Sequence, residues 1–361
     1  MQSSEFFQPA EWASHESVFL AWPSHADLWR ENLPAAQTEF TKLCQAIADV
    51  DPTTGKARGE LLEILVFDDD SKADAQKALS GLPVRFHPIP YGDIWLRDTA
   101  PIFLMNAKGD LACAKFVFNG WGGKYELPFD PEVSTAIAHV ADVPVHSYSW
   151  ILEGGSVEVD GEGTCLTSKQ CLLNPNRNPS MDQAEIEKAL GQALGVKKVL
   201  WLDDGLLNDH TDGHIDTIAR YVGPATIACM VPNDPTGAND SDAANESQDP
   251  NAKIMEQIAR DLESFTDAKG RNIKVARIPS PGKILSSDGE IMPASYLNFY
   301  IANSTVIVPT YGSANDEKAV SAIAKLFPTR RTIGSSAFAI LSGGGAFHCI
   351  TQQRPTGGMK S

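Results

Sequence analysis

An α/β fold of about five ββαβ-like units, packed radially or stacked within one domain over residues 1–361, is what this sequence predicts. Three observations carry that expectation. A strand, strand, helix, strand cadence recurs along the chain; each unit is too small to bury its own apolar face; and no shift in composition marks a domain boundary. With 42% hydrophobic and 21% charged residues, the chain has the balance of an ordinary globular protein able to bury a core.

The opening stretch, Gln8 to Trp29, holds three of the seven tryptophans. Phe40, Leu43, Ile47 and Val50 then recur at near-helical spacing and predict a helix over 34–50. The apolar run at 61–67 reads as a buried strand, followed by a short helix at 71–79 and a strand at 84–87. The second set comprises 112–118, 131–140 and 143–147. Strands at 156–159 and 165–166 precede a helix at 181–194 and a strand at 198–202. Strands at 215–222 and 226–231 precede a helix at 252–266 and a strand at 273–278. Strands at 297–302 and 305–309, a helix at 317–326 and a final strand at 336–341 complete the series. The Asp-, Asn-, Pro-, Ser- and Ala-rich stretch 233–251 reads as a surface loop between strand and helix.

Charge narrows the function classes. A net charge of −16, from 46 acidic against 30 basic residues, disfavours nucleic acid and anionic membranes as partners and suits a cationic small molecule. No apolar run approaches the roughly 18 residues of a membrane span, and the first residues lack the basic and apolar regions of a secretory signal. Cys44, Cys113, Cys165, Cys171, Cys229 and Cys349 are dispersed, which favours reduced thiols in a cytoplasmic protein. The sequence is compatible with a homo-oligomer but does not set the oligomeric state.

Five stretches could carry chemistry. Ser342-Gly343-Gly344-Gly345-Ala346-Phe347-His348-Cys349 places a thiol just beyond bare backbone; alone, Cys349 reads rather as a packed core residue, and it is the other stretches that turn it into a candidate nucleophile. Trp95-Leu96-Arg97-Asp98-Thr99-Ala100-Pro101 sets an ion pair among apolar residues, costly to bury unless paired or used. Leu152-Glu153-Gly154-Gly155 offers a carboxylate with room behind it, or a solvated turn. Phe118-Asn119-Gly120-Trp121-Gly122-Gly123-Lys124-Tyr125 could wall a pocket or form a hairpin. Densest is Asp209-His210-Thr211-Asp212-Gly213-His214-Ile215-Asp216, with five ionisable groups in eight residues. On a strand, His214 and Asp216 would share one face.

Two mechanistic classes use such groups. His210 and His214 have an i, i+4 spacing known from zinc sites, but that spacing converges only on a helix, and Gly213 followed by Ile-Asp-Thr-Ile favours a turn entering a strand. Covalent catalysis without a metal or other cofactor is the alternative: a thiolate, a histidine and several carboxylates. That recipe suits a planar cation, since carboxylates accept the forked N–H groups of a guanidinium and leave its carbon open to attack.

Taken together, Trp-Leu-Arg-Asp-Thr-Ala-Pro, Phe-Asn-Gly-Trp-Gly-Gly-Lys-Tyr, Leu-Glu-Gly-Gly, Asp-Gly-His-Ile-Asp and Gly-Gly-Gly-Ala-Phe-His-Cys-Ile-Thr-Gln-Gln resemble the agmatine deiminases, in that family's order and from Pro9 almost to the C-terminus. The resemblance implies a five-bladed pseudo-symmetric ββαβ propeller (a pentein) and a cofactor-free, metal-free hydrolase acting on a cationic guanidino substrate. It implies that Cys349 attacks the guanidinium carbon to give a thiouronium adduct, which water activated by His214 hydrolyses. Asp98 and Asp216 would grip the guanidinium nitrogens and Glu153 would orient His214. Trp95 and Trp121 would line the substrate, and Gly344 and Gly345 would give clearance for a flat cation. His348, facing away on an extended backbone, is not assigned as the base. Bacterial peptidylarginine deiminases share the core motifs, and Asp209 is followed by His210 where the family usually has a second acid for the far amine of agmatine. Asp209 remains a candidate substrate contact, and the choice among agmatine, free or peptidyl arginine and other guanidino compounds stays open. A metal-dependent hydrolase and a non-catalytic propeller that binds cations are the remaining alternatives.

Overall fold

A computed structural model describes residues 5–232 and 249–358. The loop expected at 233–251 therefore lies, over 233–248, outside the described residues. In chain order come β1 (Phe6–Phe7), β2 (His15–Ala21), α1 (Leu33–Ala48), β3 (Leu61–Val66), α2 (Asp69–Ala78) and β4 (Val84–Pro88). Then follow β5 (Ile102–Asn106), β6 (Leu111–Val117), α3 (Asp130–Ala141) and β7 (Val145–Ile151). The third group is β8 (Glu158–Val159), β9 (Thr164–Ser168), α4 (Gln183–Leu194) and β10 (Lys198–Leu202); the fourth is β11 (Ala219–Gly223), β12 (Thr226–Val231), α5 (Ala252–Ser264) and β13 (Lys274–Pro279). The fifth is β14 (Tyr300–Ile301), β15 (Thr305–Thr310), α6 (Asp316–Ala324) and β16 (Arg331–Ser336), with β17 (Gln352–Pro355) closing the series.

These strands form five small sheets among the described residues, ordered β17-β2-β3-β4, β1-β5-β6-β7, β8-β9-β10, β11-β12-β13 and β14-β15-β16. Each sheet repeats one pattern: a leading strand antiparallel to a central strand, then a helix, then a strand parallel to the central one. In the first sheet the leading strand is β17, which comes from the far end of the chain and pairs antiparallel with β2.

Neighbouring units share their cores. One apolar cluster joins β2, β3 and α1 to β15 and α6 of the fifth unit. A second joins Ile102, Leu104 and Ala112 to α4, and a third joins Leu166, Leu200 and Leu202 to Ile227, Ile258 and Leu262. Local signals support the helices. Met255, Ile258, Ala259 and Leu262 repeat at i, i+3, i+4 and i+7 on the buried face of α5. Asp68 with Ser71, and Asp182 with Glu185, form capping boxes at the starts of α2 and α4.

The expected final strand at 336–341 is displaced. The strand is Arg331–Ser336, and Phe338–Leu341 turn into a short helix whose Ala339, Ile340 and Leu341 are buried. The true strand lies at its sheet's edge and is largely solvent-facing, so it carries no apolar run. The following Phe-Ala-Ile-Leu looks like a strand but is fixed as a turn by Glu39, which accepts hydrogen bonds from Ser336 Oγ and Ile340 N at 2.5 and 3.0 Å. The strand expected at 297–302 shrinks to Tyr300–Ile301. That expected at 156–159 keeps only Glu158–Val159, after a 3-10 turn at Gly154–Ser156.

Candidate active site

Gly155 is the point about which the acids and the histidine gather. A Cβ placed there would lie 2.6 Å from His214 Nδ1, 2.9 Å from Asp98 Oδ1 and 3.2 Å from Asp216 Oδ2. Only a glycine fits. Asp98 sits in a short helix, Leu96–Thr99, and accepts from Gly155 N and Trp121 Nε1, both at 2.8 Å. Its neighbour Arg97 turns the other way. The Arg97 backbone N–H bonds Cys349 O at 3.1 Å, while its guanidinium bonds His348 O and Gln352 Oε1 at 3.2 and 3.1 Å. The Arg-Asp pair is therefore split between two tasks, one facing the site and one anchoring the nucleophile segment.

His214 and Asp216 do not lie on a strand. Ile215–Thr217 form a 3-10 turn and β11 begins only at Ala219, yet both side chains are buried and reach the same centre. His214 Nδ1 stands 3.7 Å from Asp98 Oδ2. Cys349 Sγ lies 3.4 Å from Asp216 Oδ2 and accepts from Asn298 Nδ2 at 3.0 Å. Asn298 Oδ1 in turn accepts from the backbone of His348 and Cys349, which fixes the turn that carries the thiol. Glu153 Oε1 accepts from Arg177 Nε at 2.8 Å. Both ring nitrogens of His214, Glu153 Oε2 and Asp216 Oδ1 are buried without a hydrogen-bond partner in the protein. Buried polar atoms left open in this way are costly unless a ligand satisfies them.

The electrostatics divide the groups. Burial pushes the Cys349 thiol well above its ordinary range, and the Asp216 and Asp98 carboxylates push it further. Burial also raises Asp98, and Asp216 and Glu153 add to this against the pull of His214. Asp216 moves the other way. Burial opposes its charge, but His348, His214 and Arg220 outweigh that and lower it. For His214, burial opposes the cation, yet Asp98, Cys171 and Glu153 raise it well above the usual imidazole range. A site crowded with acid around a protonated thiol is poised for a cation.

The expected substrate contacts divide as well. Trp95 donates to Asp93 Oδ2 at 2.8 Å and stacks on Trp29, with ring centres 6.2 Å apart. A Cβ at Gly345 would meet Trp95 at 2.8 Å and Cys349 Sγ at 3.0 Å, so the backbone lies flat between indole and thiol. Trp121 reaches Asp98 from a left-handed backbone, φ 54°. Gly344, φ 119°, lies at the rim, where an added Cβ would stand 3.6 Å from His210 Nδ1. Asp209 has a local task. Its two oxygens accept from Thr211 N, Thr211 Oγ1, Gly213 N and His214 N at 2.6–3.1 Å, which shapes the loop that delivers His214.

Sequence reasoning passed over Asn298, Arg177, Trp29, Cys171, Glu11, Arg220 and Glu158. Among the described residues, two sets of donor atoms converge within 4.8 Å: Glu153, Cys171 and His214, and Glu11, Glu158 and His348. In each, one carboxylate already accepts from a buried arginine, Arg177 on Glu153 at 2.8 Å and Arg220 on Glu11 at 2.6 Å. Guanidinium groups thus compensate the charge that a metal would otherwise meet.

The family model for the Porphyromonas-type peptidyl-arginine deiminases matches residues 7–355. The chain belongs to that family. This peptidyl-arginine deiminase family chain is 34% identical to the agmatine deiminase of Ectopseudomonas mendocina, over 97% of this chain and 95% of the relative. It overlays the solved agmatine deiminase of Enterococcus faecalis with a TM-score of 0.85 at 31% identity, covering 99% of this chain and 98% of the other. A cysteine-to-serine variant of C. jejuni agmatine deiminase with substrate bound overlays it with a TM-score of 0.83 at 26% identity, over 98% and 97% of the two chains. The resemblance to agmatine deiminases read from the five motifs is borne out at the level of family and of overall structure.

Proposed function

We propose that the protein is a hydrolase that converts agmatine and water to N-carbamoylputrescine and ammonia. The observation that carries this reading is the set of buried polar atoms left open beside a thiol: the acceptors Asp216 Oδ1 and Glu153 Oε2, and the His214 ring as the proton carrier. A guanidinium supplies N–H donors to such atoms in one plane, and its charge draws Cys349 toward the thiolate. Asp98 and Asp216 hold the nitrogens. The Cys349 sulfur adds to the guanidinium carbon, one nitrogen takes the proton of His214 and leaves as ammonia, and a thiouronium adduct remains. Neutral His214 then takes a proton from water as the oxygen adds to the same carbon. The C–S bond breaks as the added hydroxyl gives up its proton to solvent, where it ends on the released ammonia as ammonium; this returns the thiolate and frees a neutral ureido product that no longer pairs with the carboxylates.

The five sheets, with cores shared between successive units and between the fifth and the first, support reading the chain as one five-bladed propeller domain. The six cysteines are unpaired, in keeping with a cytoplasmic location. A role in forming putrescine precursors follows from the product. Another guanidino substrate is a second reading, favoured by the mouth. His210 occupies the rim beside Gly344 and Tyr125, and Asp209 beside it is engaged by its own loop.

Purified protein with agmatine should release ammonia and ureido product, with kcat/KM at least about tenfold above that for arginine, a margin of about 1.4 kcal/mol. A preference for arginine would move the assignment to the second reading. Replacing Gly155→Ala should lower kcat/KM by about a hundredfold while circular dichroism stays unchanged, because a displaced His214 loses its attack geometry. Full activity in that variant would show that His214 and Asp98 need not sit as close as they do.

A further inference from the structure

Beneath the site, His348 is held between two carboxylates. Its Nδ1 lies 2.8 Å from Asp216 Oδ2 and its Nε2 lies 2.8 Å from Glu11 Oε2. The ring is buried. A ring nitrogen facing an ionised carboxylate must carry a proton, and imidazole carries two protons only as the cation. Both acids are held ionised. Cations other than His348 favour the ionised forms: Glu11 accepts from Arg220 at 2.6 Å and has Arg97 3.9 Å away, and His214 and Arg220 act in the same direction on Asp216.

We propose that His348 is a positioning residue, a buried imidazolium that keeps Asp216 a carboxylate and holds its Oδ2 3.4 Å from Cys349 Sγ. The inference rests on the deiminase reading, in which Asp216 grips the guanidinium. The groups that face His348 are Asp216, Glu11, Glu158, Arg220, Arg97 and Cys349. Of these, Arg220 is committed to Glu11 and Glu158. Arg97 bonds the His348 carbonyl rather than its ring. His348 is therefore the cation in direct hydrogen-bond contact with Asp216. It accounts for the asymmetry of the two gripping acids. Asp98, without such a partner, is raised by burial, whereas Asp216 is lowered in spite of it. Without the imidazolium, less would oppose the burial that raises Asp216 as it raises Asp98.

His348→Asn and His348→Gln test this, since each amide can mimic one ring nitrogen but neither carries charge. Loss of the cation raises the Asp216 pKa, so the acid limb of kcat/KM moves to higher pH. Activity should fall about tenfold more at pH 6 than at pH 8. The Asn variant, which can still donate to Asp216, should suffer less than the Gln variant. Alkylation of Cys349 gives a readout independent of turnover. The rate ratio of cationic 2-chloroacetamidine to neutral 2-chloroacetamide at pH 7 should drop about tenfold in His348→Gln. Folded variants with wild-type pH profiles and alkylation ratios overturn the proposal. If the variants do not fold, ¹⁵N NMR of the wild-type protein decides: both His348 ring nitrogens should be protonated at pH 7, and a neutral ring overturns it. A wild-type protein that makes no ureido product would instead defeat the deiminase reading, while the NMR signature and the alkylation ratio would still report on His348.

Discussion

Replacing Cys349→Ser should lower kcat for ureido formation by about 10⁴- to 10⁶-fold, the range seen when a nucleophile is removed from an otherwise intact site. Asn298 and the backbone around residue 349 would hold a hydroxyl where they hold the thiol. At neutral pH, however, a serine hydroxyl presents no appreciable anion to the guanidinium carbon. Binding should survive, because Asp98, Asp216 and Glu153 are untouched. Agmatine titrated calorimetrically into the variant should show a Kd within about tenfold of the wild-type KM. Turnover above about one per cent of wild type would leave no place for a covalent adduct on Cys349.

Arg220→Met should cost about 3–5 kcal/mol of stability, the usual penalty for breaking a buried ion network by removing one partner. Arg220 is fully buried. It donates to Glu11 Oε2 at 2.6 Å and to the carbonyls of Leu297 and Phe299 at 3.1 and 2.8 Å. Its Nε lies 3.0 Å from Glu158 Oε2, and its guanidinium lies over the Phe299 ring at 4.8 Å. Methionine fills much of the volume but leaves Glu158 without its arginine and Glu11 with only His348 and Arg97. Chemical denaturation should show a lower midpoint with an unchanged slope. Adding Glu158→Gln should recover part of the loss, since it removes one of the stranded charges. Stability indistinguishable from wild type would show that water or local rearrangement compensates Glu11 and Glu158.

What the sequence showed of this molecule follows the physics of burial. Central strands such as Thr226–Val231 are covered on both faces and read as apolar runs. Some edge strands do not. Gln352–Pro355 and Arg331–Ser336 carry polar or small residues and gave no strand signal, while Ile102–Asn106 was hidden by the motif just before it. In the site, Cys349, His214, Asp98, Asp216 and Glu153 stood out because each is a chemically expensive residue beside glycine or among apolar neighbours. Glu11 lies 337 positions from the His348 that it holds, and Asn298 lies 51 from the thiol. Pairings of that kind exist only once the units have packed, and no local pattern announces them. His348 was read as facing away on an extended backbone. In fact it sits in a tight turn and faces the underside of the same acid that the thiol meets from above.

The pairing of β17 with β2 has a consequence for the order in which the chain is made. Gln352 lies opposite Phe19, three residues beyond the nucleophile, and Arg97 clamps the intervening turn at His348 O, Cys349 O and Gln352 Oε1. While a nascent chain is still short of Gln352, the β2 edge has no partner from this segment and the Arg97 clamp lacks its contact with Gln352 Oε1. The bonds that seal the first sheet are the ones that set the thiol in place. The thiol therefore takes its place through contacts that exist only once the chain through Gln352 has been made.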